Sequence, residues 1–119
     1  MSTKFSMVRD VNGYNGFGIM PTQDIDGCSL ATSTAQTFTV PDNYPSWIAI
    51  FSYTPGSNIF VDFTGATAVV PSGSEGAITV SLNPSARSVK GGATFSVITP
   101  DATSPFITVE YQVVAPYIN

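Results

Sequence analysis

The sequence predicts an all-β fold: an antiparallel β-sandwich of about seven to eight strands, in jelly-roll or Greek-key connection, with an extended N-terminal arm. Three observations carry this. From residue 36 onward apolar and polar residues alternate in short runs, the period of a strand with one buried face. Gly, Pro and Asn turn residues separate the runs at short, regular intervals. No segment has the 3.6-residue period of an amphipathic helix. A chain of 119 residues has room for one domain, large enough to fold without disulfides or metals. Residues 1–27 are assigned to the arm and residues 28–119 to the sandwich.

The arm reads MSTKFSMVRDVNGYNGFGIMPTQDIDG. Asn12-Gly13 and Asn15-Gly16 are turn dipeptides. Phe5, Tyr14 and Phe17 make the segment too apolar for a solvated tail. It needs a surface to lie on, a neighbour's or its own domain's, the latter as a packed hairpin. Residues 36–40 then alternate, with Phe38 and Val40 on one face, until Pro41 stops the strand. Residues 47–53, WIAIFSY, are apolar on both faces up to Ser52, which predicts a central strand. Thr54-Pro55-Gly56-Ser57 has the Pro and Gly of a type II turn. Residues 59–63 return with Ile59, Val61 and Phe63 on one face, so 47–63 is expected to be a hairpin. A short strand at 67–70, a loop at 71–76 and a strand at 77–82 follow. Residues 85–92 are expected to hold a turn or one helical turn. Residues 93–99 alternate except for an out-of-phase Ile98, and 106–114 form the last, long strand. Trp47, Phe51, Phe60, Phe63 and Phe95 are the aromatic candidates for the core.

Charged residues make up only 10% of the chain, against about 25% in an average soluble protein. Thr, Ser, Gly, Asn and Pro stand in their place, as on surfaces covered by neighbours or on neutral β-domains. A net charge of −4, with Lys4, Arg9, Arg87 and Lys90 forming no run, argues against nucleic-acid backbone binding. No apolar stretch is long enough to span a bilayer. The first residues lack the apolar core of a signal peptide, so folding is expected in a cytoplasm. The single cysteine, Cys28, is expected to be a buried small hydrophobe.

Histidine is absent, which removes the commonest general base and metal ligand and leaves Cys28 without a His partner. Carboxylate pairs for glycoside chemistry can be drawn from eight acids, but most fall in expected turns, where Asp satisfies backbone N–H groups. Asp24-Ile25-Asp26-Gly27 begins like a calcium loop, yet the twelfth position is Ala35 rather than Glu, so a turn is expected. Lys90-Gly91-Gly92 lacks the rest of a phosphate loop and reads as a tight turn. No enzyme, cofactor or metal is expected. Candidate contact residues are Phe5, Arg9, Tyr14, Phe17, Tyr44, Tyr111 and Tyr117, since aromatic and Arg anchors dominate interfaces. Rings of this kind also stack on sugars, and their spacing does not separate the two uses.

FTVP at 38–41, FSYTPGSNIFVDF at 51–63, TAVVP at 67–71, LNPSARSV at 82–89 and SVITPDAT at 96–103 resemble a family of small tailed-bacteriophage virion proteins. The opening RDVNG and the FG at 17–18 fit as well, and the likeness covers most of the chain. The resemblance implies a capsid decoration or cement protein: a non-enzymatic β-sandwich, a homotrimer, seated on the major capsid protein lattice. Its place would be the virion surface, after assembly in the host cytoplasm. The alternatives are a tail, neck or fibre-associated module, including a carbohydrate-binding one.

Overall fold

The computed structural model describes residues 24–114 throughout and, ahead of them, the backbone of three two-residue strands. These are β1 (Lys4–Phe5), β2 (Val8–Arg9) and β3 (Asn15–Gly16). The block 24–114 carries eight more: β4 (Ile25–Ser29), β5 (Gln36–Thr39), β6 (Ser46–Tyr53), β7 (Phe60–Asp62), β8 (Val80–Leu82), β9 (Ala86–Lys90), β10 (Thr94–Ile98) and β11 (Phe106–Val114).

The eight form two four-stranded antiparallel sheets, β4-β11-β6-β9 and β5-β10-β7-β8, packed as a sandwich. The pairs β4–β11, β5–β10, β6–β9 and β7–β8 are nested one inside the next. The chain is therefore one long hairpin, closed at residues 63–79, whose successive rungs alternate between the sheets. That is the jelly roll. β1 adds in parallel beside the end of β11, with Lys4 opposite Val113, and β2 pairs with β3.

Strand period decides the core. Trp47, Ala49 and Phe51 of β6 face Ile107, Val109, Tyr111 and Val113 of β11 in register, and all are buried. Phe38, Val61, Phe95 and Val97 fill the other layer. Phe38 and Phe95 stack at 5.4 Å, and Phe95 meets Phe51 edge-on at 5.7 Å across the two sheets. Each such side chain contributes about 1.5–3 kcal/mol by leaving water.

Several sequence expectations change. The turn at residues 54–57 forms, with Gly56 at φ 79° and the Ser57 N–H donating to Thr54 O at 3.1 Å. The hairpin 47–63 does not, because β6 and β7 lie in different sheets and the turn carries the chain across the sandwich. Residues 85–92 contain strand β9 rather than only a turn. Residues 67–70 are not a strand, and the strand expected at 77–82 shortens to β8. Asp24 leads directly into β4, which contains Asp26 and Gly27; the segment expected to be a turn is thus an edge strand that straddles the boundary drawn at 27/28. Phe60 is half-buried and lies outside the core cluster, whereas Phe63 packs against it.

Residues 63–79 explain the missing strand and the burial of the outward-facing Ser96. Ser96 and Ile98 face away from the core, yet both are buried. The Ser96 hydroxyl accepts the Ala68 N–H at 2.8 Å, and Ala68 is itself buried. The segment thus folds over the outer face of β10 and β7 and spends its backbone on side chains instead of a ladder.

Candidate interaction surface

The expected contact residues separate. Tyr111 is 1% exposed and meets Trp47 edge-on at 6.3 Å inside the sandwich, so the expectation of a contact surface there is corrected to a core position. The reason is parity: Tyr111 shares the inward face with Val109 and Val113. Burial, then the neighbouring Asp26 carboxylate, pushes its phenol above the ordinary range. Tyr44 is half-buried, packs against the core and lies edge-on to Trp47 at 5.9 Å, while its carbonyl accepts the Trp47 indole N–H at 3.0 Å. Phe5 and Arg9 lie on β1 and β2 by backbone only, and Tyr14, Phe17 and Tyr117 lie outside the described residues.

Exposed apolar side chains lie elsewhere: Ile25 and Phe106 on β4 and β11, and three more on and beside β8. Val69 is 66% exposed, Ile78 54% and Leu82 53%. Val69, Pro71, Ile78 and Val80 line a shallow cavity of about 270 Å³ beneath residues 63–79. Leu82 continues the same face of β8, two residues beyond Val80. Sequence reading assigned Val69, Ile78, Val80 and Leu82 to strand faces and Pro71 to a loop. The only signal that could have exposed them was the absence of charge from 63–86 apart from Glu75.

Asp62 fixes this surface from below. Although 2% exposed, its carboxylate accepts the Thr64 N–H at 2.8 Å, the Thr64 hydroxyl, and the Thr79 hydroxyl at 2.7 Å. Burial alone would raise its pKa, but these hydrogen bonds outweigh it and hold the carboxyl below the usual range. Both ends of the 63–79 segment are thereby tied to one side chain. At its tip, Glu75 accepts the backbone N–H groups of Ser72 at 2.7 Å and Gly73 at 3.0 Å, which lowers its pKa to about 2.

A folded pKa below the unfolded value, roughly 4, means that the unfolded chain binds more protons in between. Asp62 therefore contributes its full stability above about pH 4 and loses it as pH falls through the folded pKa. Asp62→Asn, which cannot accept from both Thr64 and Thr79, is expected to cost about 1–3 kcal/mol at neutral pH. In urea titrations the gap between wild type and variant should close as pH drops below about 4. A gap that persists unchanged into acid would assign the loss to packing instead of charge.

Cys28 is half-buried beside the core; burial and then Asp26 push its thiol up, so it stays protonated. No group of three or more metal-ligating side chains occurs among the described residues. The two cations of the 24–114 block, Arg87 and Lys90, both lie on β9, at one edge of a sheet whose opposite edge strand carries Asp26. No protein-family model matches the chain, nor does any curated protein or solved structure.

Proposed function

We propose that this chain is a structural protein of a tailed-bacteriophage virion: a capsid decoration protein that seats as a homotrimer on the major capsid protein lattice and cements the head. The observation that carries the reading is the exposed apolar face of Val69, Ile78 and Leu82 on a surface with so few charges, the composition of a surface meant to be covered. Two further features support it. The virion-protein resemblance runs through 38–103. The jelly roll is a recurrent architecture of viral capsid and lectin domains.

A protein that binds only the assembled lattice stabilises it by mass action, and several weak contacts on one rigid oligomer add through avidity. The role needs no catalytic group, cofactor, nucleic acid or membrane. A tail, neck or fibre position is the runner-up. The sugar-binding version is weakened because Tyr111, one of the rings it would use for stacking, is inside the core.

The test is co-sedimentation of the purified chain with assembled heads of the phage that encodes it. The wild type is expected to pellet with heads. Deletion of residues 1–20 is expected to leave a folded sandwich, by circular dichroism, that stays in the supernatant. A wild-type chain that ignores heads but binds tails or a glycan array would overturn the assignment. Full head binding by the truncated chain would remove the arm from the mechanism.

A further inference from the structure

We propose that the β4-β11-β6-β9 sheet continues from one copy of the chain into the next, the β9 edge of one copy pairing with the β4 edge of its neighbour. The inference rests on the self-association in the reading above and names its surface. β4 and β9 are each five residues long, and among the described strands each is hydrogen-bonded on one side only, β4 to β11 and β9 to β6. An unpaired edge is a template for another strand.

Direction fits. Each step from β4 through β11 and β6 to β9 is antiparallel, so β4 and β9 run in opposite senses. A neighbour in the same orientation therefore presents β4 antiparallel to β9, and the ladder continues without inversion.

Charge fits as well. β9 carries Arg87 and Lys90; β4 carries Asp26, with Glu110 beside it on β11 opposite Ile25. Three strand spacings separate the edges, about 14 Å, more than the Debye length of about 8 Å at physiological salt. Opposite charges that cannot neutralise each other within one molecule can do so between two. Because both complementary edges belong to the same chain, the partner they fit is a second copy. The backbone of Lys4 lies opposite Val113, four residues along β11 from the partner of Asp26, about 13 Å away. The edges of the other sheet, QTFT and VSL, carry no charge.

Pleat fits too. Asp26 pairs with Val109 and Arg87 with Ala49, so both stand on the inward side of their strands. Setting Asp26 of one copy opposite Arg87 of the next puts Ile25, 54% exposed, opposite Ser88. The contact is head-to-tail, a kind that closes into a ring when its rotation allows.

Light scattering tests this. Wild type is expected above the 12.5 kDa of one chain, with a mass that falls as NaCl is raised. Arg87→Glu with Lys90→Glu, on exposed side chains, is expected to be monomeric, as is Asp26→Lys. Mixing the two variants restores complementary edges and is expected to regain mass. If Asp26→Lys fails to fold, the double variant and the salt series still decide. Variants that stay folded yet keep wild-type mass would overturn the edge contact and leave self-association standing. A wild-type monomer at low salt would overturn both.

Discussion

Trp47→Ala is expected to cost about 3–5 kcal/mol, a large share of the roughly 5–15 kcal/mol that holds a domain together. Trp47 is fully buried, meets Tyr44 and Tyr111 edge-on, and donates its indole N–H to the Tyr44 carbonyl at 3.0 Å. Truncation opens a cavity between β6 and β11 and removes the indole donor from that carbonyl. For a domain of this size the melting temperature should fall by roughly 10–20 °C. Trp47→Phe keeps most of the ring and loses the hydrogen bond, so about 1–2 kcal/mol is expected. Circular dichroism is the suitable probe, since Trp47 is the only tryptophan. A Trp47→Ala melt within about 3 °C of wild type would mean that the two sheets close over the gap.

Gly91→Ala is expected to rival it. A Cβ on Gly91 would stand 2.0 Å from the Tyr44 carbonyl oxygen and 3.2 Å from that of Pro41, both backbone atoms. The Tyr44 oxygen cannot swing aside without leaving the Trp47 indole, and the Gly91 N–H is itself held by the Pro45 carbonyl at 3.0 Å. The loss should reach or exceed the upper end of overpacking, about 3 kcal/mol. Gly76→Ala, with nothing within 4 Å, is the control and should stay within about 0.5 kcal/mol. Equal melting of the two variants would show that the β9–β10 turn can move away from β6.

The pairing of Gly91 with Tyr44 marks where sequence reading stops. The glycines announced a tight turn, and the turn is there. That one of them must be glycine because the carbonyl of Tyr44, 47 residues earlier, presses on it is a tertiary fact. The same division holds for the TPGS turn. Pro and Gly fix its local shape, but local shape does not say whether the returning strand rejoins its own sheet or crosses to the other. Strands β5 and β11 were legible because apolar residues recur along one face, β10 because it alternates up to Ile98, and β6 because it is apolar on both faces. β9 was not: within ARSVK only Val89 is even half-buried, the mark of an edge strand with little apolar surface to show.

The reverse error came from Thr67-Ala68-Val69-Val70, whose composition is that of a strand. Ala68 is a plug over Ser96, and Val69 points to solvent. Asp62 looked like the wet side of a strand because its alternation is correct; only the overlying segment makes that side dry. Among the expected contact residues, Tyr111 failed through parity with Val109 and Val113, a pattern present in the sequence but outweighed by its polar tip. The exposed face of Val69, Ile78 and Leu82 was hidden because apolar residues are read as core by default.

Asp24 and Tyr111 are bonded neighbours, the Tyr111 N–H donating to the Asp24 carbonyl at 2.9 Å, so the sandwich begins and ends at one corner. A pull on residues 24 and 114 would open β4 from β11 one rung at a time, as a zip opens, rather than shear all their bonds together. The sandwich is thus weak to tension applied between residues 24 and 114 and strong to load spread across its sheets. Load should therefore enter through the sheet edges and faces rather than between residues 24 and 114.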